Sequence, residues 1–362
     1  MKNVLQKICL VIAALIVAVL MAEGFAWLAP EQILVARLRD LRDQLDRNRN
    51  AESFMSPDPE LLFKIKPNVN FVIRHPDYSM HVVTHLNLGD IGFRGGSIGG
   101  PAWAIAVGDS FTFGHGVDHE EMWTSLLAKS LGKDVINFGV PAQGPTQYTR
   151  ILKRYALPMR PRVAFYGFYF NDLDSAVRFR RIKRGIPIGR YLRDYSVVYN
   201  LLRGNKQSKD QQLIFFKADG IELSLEPEGL RRNLERQAEK FDERWAAVSR
   251  EVDDGIKASQ EAGATFVLFY FPSRWEVYWE QIRKQLDFPE SLDIDRLHRK
   301  VVEYCGAKKL LCLDLTPALK REASQHKQLY FRTDGHWNQE GNRVVAQAIR
   351  EFVRAKALDS SN

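Results

Sequence analysis

Ala102-Trp103-Ala104-Ile105-Ala106-Val107-Gly108-Asp109-Ser110-Phe111-Thr112-Phe113-Gly114 is the stretch on which the reading of the chain turns. Ala102 to Val107 is a short apolar run, the pattern of a strand covered on both faces. Gly108-Asp109-Ser110 then breaks the run. A serine on a tight strand-to-helix turn beside glycine has an exposed hydroxyl. Backbone N–H groups at such a turn can receive the negative charge that develops during acyl transfer. The tripeptide by itself is an ordinary turn, so the elements that follow it carry the argument.

Downstream, strands and helices alternate. A helix is expected from Glu120 to Leu131, a strand from Val135 to Phe138, a helix from Thr146 to Leu157 and a strand from Arg162 to Phe170. The spacing predicts one long helix from Leu230 to Ala262, with Leu234, Ala238, Phe241, Trp245, Val248, Val252 and Ile256 on one stripe and Gly263 as its stop. Strands follow at Thr265–Phe271 and Leu310–Leu315, and a helix at Asn338–Lys356 closes the pattern. This alternation implies a parallel sheet with helices on both faces, a three-layer α/β/α sandwich. In such sheets chemistry sits beyond the carboxyl ends of the strands.

Upstream, Lys2 and Lys7 precede an apolar run from Ile8 to Ala22; Glu23 interrupts it and the stretch ends at Pro30. Residues 1–30 are about as long as a bilayer-spanning helix requires. Leu20 and Met21 spoil the small-residue pattern of a cleavage site, so a retained signal anchor is expected rather than a cleaved signal peptide. The lysines favour that end inside and the globular part outside, in the periplasm or beyond the cell, although arginines from Arg37 onward pull the other way. Residues 31–50 read as a juxtamembrane helix striped by Leu34, Leu38, Leu41 and Leu45. Residues 51–100, rich in Pro, Asn, Gly and His, are an irregular or short-stranded lead-in, and residues 101–357 are the main domain.

An insertion at about 174–229 interrupts the alternation. It holds the basic run Arg178, Arg180, Arg181, Lys183, Arg184, Arg190 and Arg193, and a hairpin expected over Phe215 to Ile221, turned at Asp219-Gly220. The run is either a solvated face or a surface for an anionic polysaccharide or lipid headgroups. The chain has 362 residues, a formal net charge of +8 and 27% charged residues, so it is globular rather than disordered. No nucleic-acid motif accompanies the charge. Cys9, Cys305 and Cys312 form no Cys-x-x-Cys or Cys/His ligand set, so neither a metal nor another cofactor is expected. Cys305 and Cys312 are either two buried thiols or, outside the cytoplasm, a pair.

Ser110 needs a base, and Thr333-Asp334-Gly335-His336-Trp337-Asn338 supplies one just before the last helix. Histidine accepts a proton near neutral pH, and a carboxylate on its other nitrogen fixes the tautomer. Asp334, two residues away, is the candidate acid; Asp314 is a weaker rival. His115 and His119 are rival bases, but lie too close to Ser110 along the chain to face it well. Gly139, in Asn137-Phe138-Gly139 after the second strand, offers an unhindered N–H. Asn171, after the third strand, offers a side-chain amide.

Ser110, Gly139, Asn171 and His336, in that order at successive strand ends, resemble the four blocks of the SGNH (GDSL-type) hydrolase superfamily. Many members space acid and histidine as Asp-x-x-His; here Thr333 stands three before His336, and Asp334 must serve from two. The likeness covers roughly Ala102 to Ala355 and implies the flavodoxin-like SGNH sandwich, with Ser110 as nucleophile, His336 as base and Asp334 as orienting acid. The Ser110 and Gly139 N–H groups and the Asn171 amide would form the oxyanion hole. Leu62-Phe63-Lys64-Ile65-Lys66-Pro67-Asn68, Asn87 and Gly92-Phe93-Arg94-Gly95 resemble the lead-in of bacterial membrane-anchored SGNH proteins. That branch implies an esterase acting on O-acyl, especially O-acetyl, esters of a cell-envelope carbohydrate or a small ester, in company with other envelope polysaccharide proteins. The alternatives are a polysaccharide O-acyltransferase using the same serine and, in another class, a non-catalytic glycan-binding or scaffold protein.

Overall fold

Short runs of β-branched and aromatic residues between helix-forming segments have one way to bury both faces, which is to line up in parallel between two helical layers. The computed structural model describes residues 2–30, 33–34, 38, 42, 54–95, 102–174, 196–203, 213–286, 288 and 292–360, and it folds in this way. The lead-in forms three antiparallel hairpins: β1 (Met55–Asp58) with β2 (Leu62–Ile65), β3 (Asn70–His75) with β4 (Tyr78–Val83), and β5 (Leu86–Leu88) with β6 (Ile91–Phe93). The main sheet follows with β7 (Ala104–Val107), β8 (Val135–Asn137) and β9 (Val163–Tyr169). A further hairpin, β10 (Ile214–Ala218) and β11 (Ile221–Leu225), turns through Asp219 and Gly220, both at positive φ. The sheet is completed by β12 (Thr265–Phe271) and β13 (Leu311–Asp314).

The five strands run in the order β8-β7-β9-β12-β13, all parallel. Counted within the sheet this is the 2-1-3-4-5 order of flavodoxin-like folds. Alternate residues separate its two faces. Ala104, Ala106, Val163, Phe165, Val267, Phe269 and Phe271 share one core with Trp123, Leu319, Val345 and Ile349, from helices Trp123–Leu131, Thr316–Ala323 and Gln339–Ala355. On the opposite face, Tyr166 meets Thr149 Oγ1 at 3.2 Å, and Thr149 also donates to the carbonyl of Glu251. That ties in helices Pro145–Ile151 and Phe241–Glu261.

Several boundaries differ from the sequence expectation. The single helix expected over Leu230–Ala262 is two, Pro227–Glu239 and Phe241–Glu261, broken at Lys240, where φ is −140° and ψ 38°. No proline forces the break; it lets Phe241 bury beneath the guanidinium of Arg296, 4.1 Å away. Helix Pro145–Ile151 loosens into a π turn at Leu152–Ala156, followed by a short turn at Leu157–Met159, where Pro158 offers no N–H to continue it. Helix Arg296–Lys308 was not read from the sequence; Leu297, Val301, Tyr304 and Cys305 are its buried side. Cys305, near its end, is disulfide-bonded to Cys312 in β13. The expected juxtamembrane helix and the basic run of the insertion fall almost entirely outside the described residues.

The chain divides into two compact units, Met55–Arg181 with Gln212–Asn362, and Met1–Phe54 with Ile182–Gln211. In the second of these, Lys2–Leu28 is one continuous helix, and its part Cys9–Leu28 is long and apolar enough to cross a membrane. In the first, Arg94 of the lead-in is fully buried. Its guanidinium donates to the carbonyls of Phe113, Gly114, Val117 and His81, at 3.1, 2.8, 2.9 and 3.3 Å, and its Cζ lies 4.9 Å from the centre of the Phe113 ring. No carboxylate bonds to it among the described residues. Burial lowers its pKa to about 10, so it stays charged at neutral pH. Arg94→Met would leave four carbonyls without their donor and should cost at least about 3 kcal/mol in urea unfolding of the detergent-solubilised chain. Arg343→Met removes only an exposed pair with Glu340 and should cost under about 1 kcal/mol.

Candidate active site

Ser110 opens a single helical turn, Ser110–Phe113, directly beyond the end of β7. Asp109 caps the turn by accepting the Phe111 N–H at 2.9 Å. Gly108 has no room for a side chain, because a Cβ there would lie 2.1 Å from Thr112 Oγ1. Asn137, at the end of β8, donates to the Thr112 carbonyl at 2.6 Å and to Thr124 Oγ1 at 3.1 Å. The serine turn is therefore gripped by Asn137 at its base and by Arg94 on the loop that leaves it.

The histidine arrives from the other end of the unit. Residues 331–336 form a loop closed by a bridge between Tyr330 and Trp337 and by the Phe331 N–H donating to the His336 carbonyl at 3.0 Å. Asn338 caps the last helix through the Gly341 N–H. This closure holds His336 Nε2 2.7 Å from Ser110 Oγ, across 226 positions of sequence. On the far side of the ring, His336 Nδ1 bonds Asp334 Oδ1, which also accepts the His336 backbone N–H at 2.9 Å. The two-residue spacing therefore reaches the imidazole. Thr333, where many family members have the acid, instead turns its hydroxyl to Asp77 at 2.7 Å.

The tip of the β3–β4 hairpin supplies residues that sequence reasoning missed. Asp77 Oδ2 accepts the Thr333 N–H, the Thr333 hydroxyl and the Asp334 N–H. Tyr78 donates its hydroxyl to Asp334 Oδ2 at 3.0 Å, and His115 Nε2 lies 2.8 Å from the same phenol oxygen. An ionised carboxylate only accepts, so the Tyr78 proton points to Asp334. His115 then donates through Nε2 and is the neutral tautomer. Its ring centre is 4.5 Å from that of His336, but its bond is to Tyr78 and not to Ser110. The other rivals are engaged elsewhere: His119 packs on His85 at 4.2 Å, and Asp314 pairs with His298 at 2.7 Å.

Burial opposes the charge on Asp334, but the hydrogen bond and positive charge offered by His336 outweigh it and hold the carboxyl well below the usual range. Burial, then the neighbouring His336, pushes the His115 imidazole down to about 3. His115, Asp334 and His336 bring their side-chain donor atoms within 4.8 Å of one another. Each already has a hydrogen-bond partner in this arrangement, which makes the trio a proton-ordered network.

The remaining candidates flank the serine. Gly139 must be glycine, since a Cβ would lie 2.3 Å from the Phe113 nitrogen. Its N–H donates to Asn137 Oδ1 at 2.8 Å. Asn171 is exposed on the turn Phe170–Asp174 at the end of β9, and its amide has no partner among the described residues. The Ser110 N–H likewise meets no acceptor among them. Arg274, after β12, donates to the Asp334 carbonyl at 3.3 Å.

A family model described as "SGNH hydrolase-like domain, acetyltransferase AlgX" matches residues 230–362, a span that includes Asp334 and His336. Residues 230–362 are thus similar to an SGNH hydrolase-like domain. The chain is 31% identical over 121 residues to a protein of Pseudomonas putida described as "Probable alginate O-acetylase AlgJ". That match takes in 33% of this chain and 30% of the relative, so the chain spans about a third of the curated relative's length. Among solved structures, a catalytic mutant of the acetylxylan esterase Axe2 from Geobacillus stearothermophilus superposes with a TM-score of 0.39 and 11% identity, over 71% of this chain and 95% of that one. The esterase EstA from Pseudoalteromonas sp. gives 0.36 and 12%, over 71% and 99%. Scores this low add nothing to the strand order.

The network makes the main unit sensitive to acid. Because the folded-state pKa of His115 lies below its ordinary value, the unfolded chain binds the proton first; stability is full above about pH 6.5 and is lost as pH falls towards 3. His119, also lowered by burial and by His85, adds to the slope in parent and variant alike. His115→Gln keeps a donor for Tyr78 but cannot titrate. Urea midpoints of this variant should fall less between pH 7 and pH 4.5 than those of the parent.

Proposed function

We propose that the chain is a serine-dependent acyl-transfer enzyme of the cell envelope that moves O-acetyl groups on a carbohydrate. The observation that carries this reading is the 2.7 Å contact between His336 Nε2 and Ser110 Oγ, with Asp334 bonded to the opposite ring nitrogen. His336 takes the Ser110 proton as the oxygen attacks the ester carbonyl. It returns that proton to the departing alcohol oxygen, leaving Ser110 acylated. An acceptor hydroxyl then gives its proton to His336 and attacks the acyl-enzyme; a second proton return restores Ser110. The Ser110 N–H and the unengaged Asn171 amide are the proposed oxyanion donors. The Gly139 N–H joins them if it leaves Asn137. Tyr78 is a positioning residue, acting through Asp334.

The acceptor divides this reading from its rival. If it is water, the chain is an esterase; if a sugar hydroxyl, it is a polysaccharide O-acyltransferase. The acetyltransferase and O-acetylase descriptions of the matched family and relative favour the sugar. An extracytoplasmic location on a single anchor is supported by the apolar helix Cys9–Leu28 and by the Cys305–Cys312 disulfide, which suits an oxidising compartment.

The test is turnover of p-nitrophenyl acetate by the full chain in detergent, alone and with an oligosaccharide acceptor analysed by mass spectrometry for acetylated product. Ser110→Ala and His336→Ala should fall to background, and Asp334→Asn should lose on the order of a thousandfold. Equal rates for Ser110→Ala and parent would refute the reading. Loss of ester cleavage together with acceptor acetylation would leave only glycan binding. In the same assay Tyr78→Phe, which strips one hydrogen bond from the half-buried carboxylate, should lower kcat about tenfold and leave KM unchanged.

A further inference from the structure

Glu23 is an acid inside the apolar stretch Cys9–Leu28. It stands five residues before Leu28, about 7.5 Å along a helix. A carboxylate at that depth in lipid is costly unless its oxygens are met by donors. Both are met. Oε1 accepts the Trp27 indole N–H at 2.9 Å and the Val197 N–H at 2.7 Å. Oε2 accepts the Ser196 hydroxyl at 2.8 Å and the Val198 N–H at 3.0 Å. Three of these four donors begin the helix Val197–Arg203, which belongs to the insertion.

That helix has the marks of one built for a medium without water. Every helix leaves its first four N–H groups unsatisfied. Here Glu23 takes those of Val197 and Val198, and Ser196 Oγ takes that of Tyr199 at 2.9 Å. In water the solvent can meet such groups, whereas in hydrocarbon the protein must meet them. Its sequence, Val-Val-Tyr-Asn-Leu-Leu-Arg, is mostly apolar. Val197 buries against Ala26 and Trp27. Leu202 is 77% exposed, and on the neighbouring helix Phe25 and Leu28 are 57% and 86% exposed.

We propose that Val197–Arg203 is a second membrane element, lying in the lipid interface against the outer end of the N-terminal helix and locked there by Glu23. The proposal rests on the reading of Lys2–Leu28 as the anchor. Depth follows from the lock: a helix whose first turn binds Glu23 sits at the level of Glu23. Leu201 packs on the cluster of Ala26 and Val197, and the exposed Leu202 is then the helix's lipid-facing side chain. The insertion thus gives the anchored chain a second attachment to the bilayer.

The experiment uses the full chain with Cys9→Ser, the Cys305–Cys312 disulfide intact, and single NBD labels at Leu202→Cys, Ile16→Cys or the exposed Gln260→Cys. Each is reconstituted in phosphatidylcholine–phosphatidylglycerol vesicles and challenged with iodide in the water or with shallow doxyl-labelled lipid. Leu202 should be several-fold less quenched by iodide than Gln260, and quenched by the doxyl lipid. Iodide quenching at Leu202 equal to that at Gln260, with Ile16 still shielded, overturns the proposal alone. The same result at Ile16 as well removes the anchor reading and the proposal with it. Adding Glu23→Ala should open Leu202 to iodide while Ile16 stays shielded; a Leu202 that remains shielded shows that Glu23 is not the lock and also overturns the proposal.

Discussion

The half-buried negative charge of Asp334 is the constraint around which the site is arranged. A carboxylate removed from water keeps its charge only where donors surround it. Here they come from two places, the His336 ring and backbone and the Tyr78 hydroxyl, while Asp77 accepts the adjacent backbone N–H groups and holds the loop in position. Each donor has a single direction available, and the directions propagate. Asp334 fixes the proton on His336 Nδ1, which leaves Nε2 to accept from Ser110. It also fixes the proton of Tyr78, which leaves His115 neutral and donating. One charge thus orders the protons of four side chains.

Arg94 does the complementary work on the serine side. Its guanidinium gathers carbonyls that leave the serine turn and the following loop, while Asn137 holds the turn from beneath. The hairpins of the lead-in are therefore part of the site's frame, with Asp77 and Tyr78 on the histidine loop and Arg94 on the serine loop. The parallel sheet alone would bring Ser110 to its rim but would leave the acid half-supported.

Much of this was legible in the sequence for identifiable reasons. Period and punctuation exposed the five strands, because strands covered on both faces are apolar throughout and end at glycine or polar turns. Ser110, Asp334 and His336 could be named as a set because serine, carboxylate and imidazole are the restricted types that such a hydrogen-bonded chain takes, and the structure brings the three together. Tyr78 and Asp77 could not, since their partners lie 256 and 257 positions away, nor could Arg94, whose acceptors are backbone carbonyls that no side-chain pattern encodes. The motif Gly92-Phe93-Arg94-Gly95 pointed to the lead-in without revealing what Arg94 holds. The division at Lys240 was hidden because the apolar stripe runs through it, and only the tertiary pocket for Phe241 makes the chain bend. The apparent flaw in the acid's spacing vanished once the closed loop at Tyr330–Trp337 folded Asp334 back onto its own histidine.

The 226 positions between Ser110 and His336 also set a timetable. A ribosome adding roughly 5–20 residues per second finishes the serine turn some 10 to 45 seconds before it reaches the histidine loop. During that interval the hydroxyl has no base and is as unreactive as any other serine. A nascent chain therefore carries Ser110 without its imidazole partner through most of its synthesis, and the two meet only when its last helix closes over the rim.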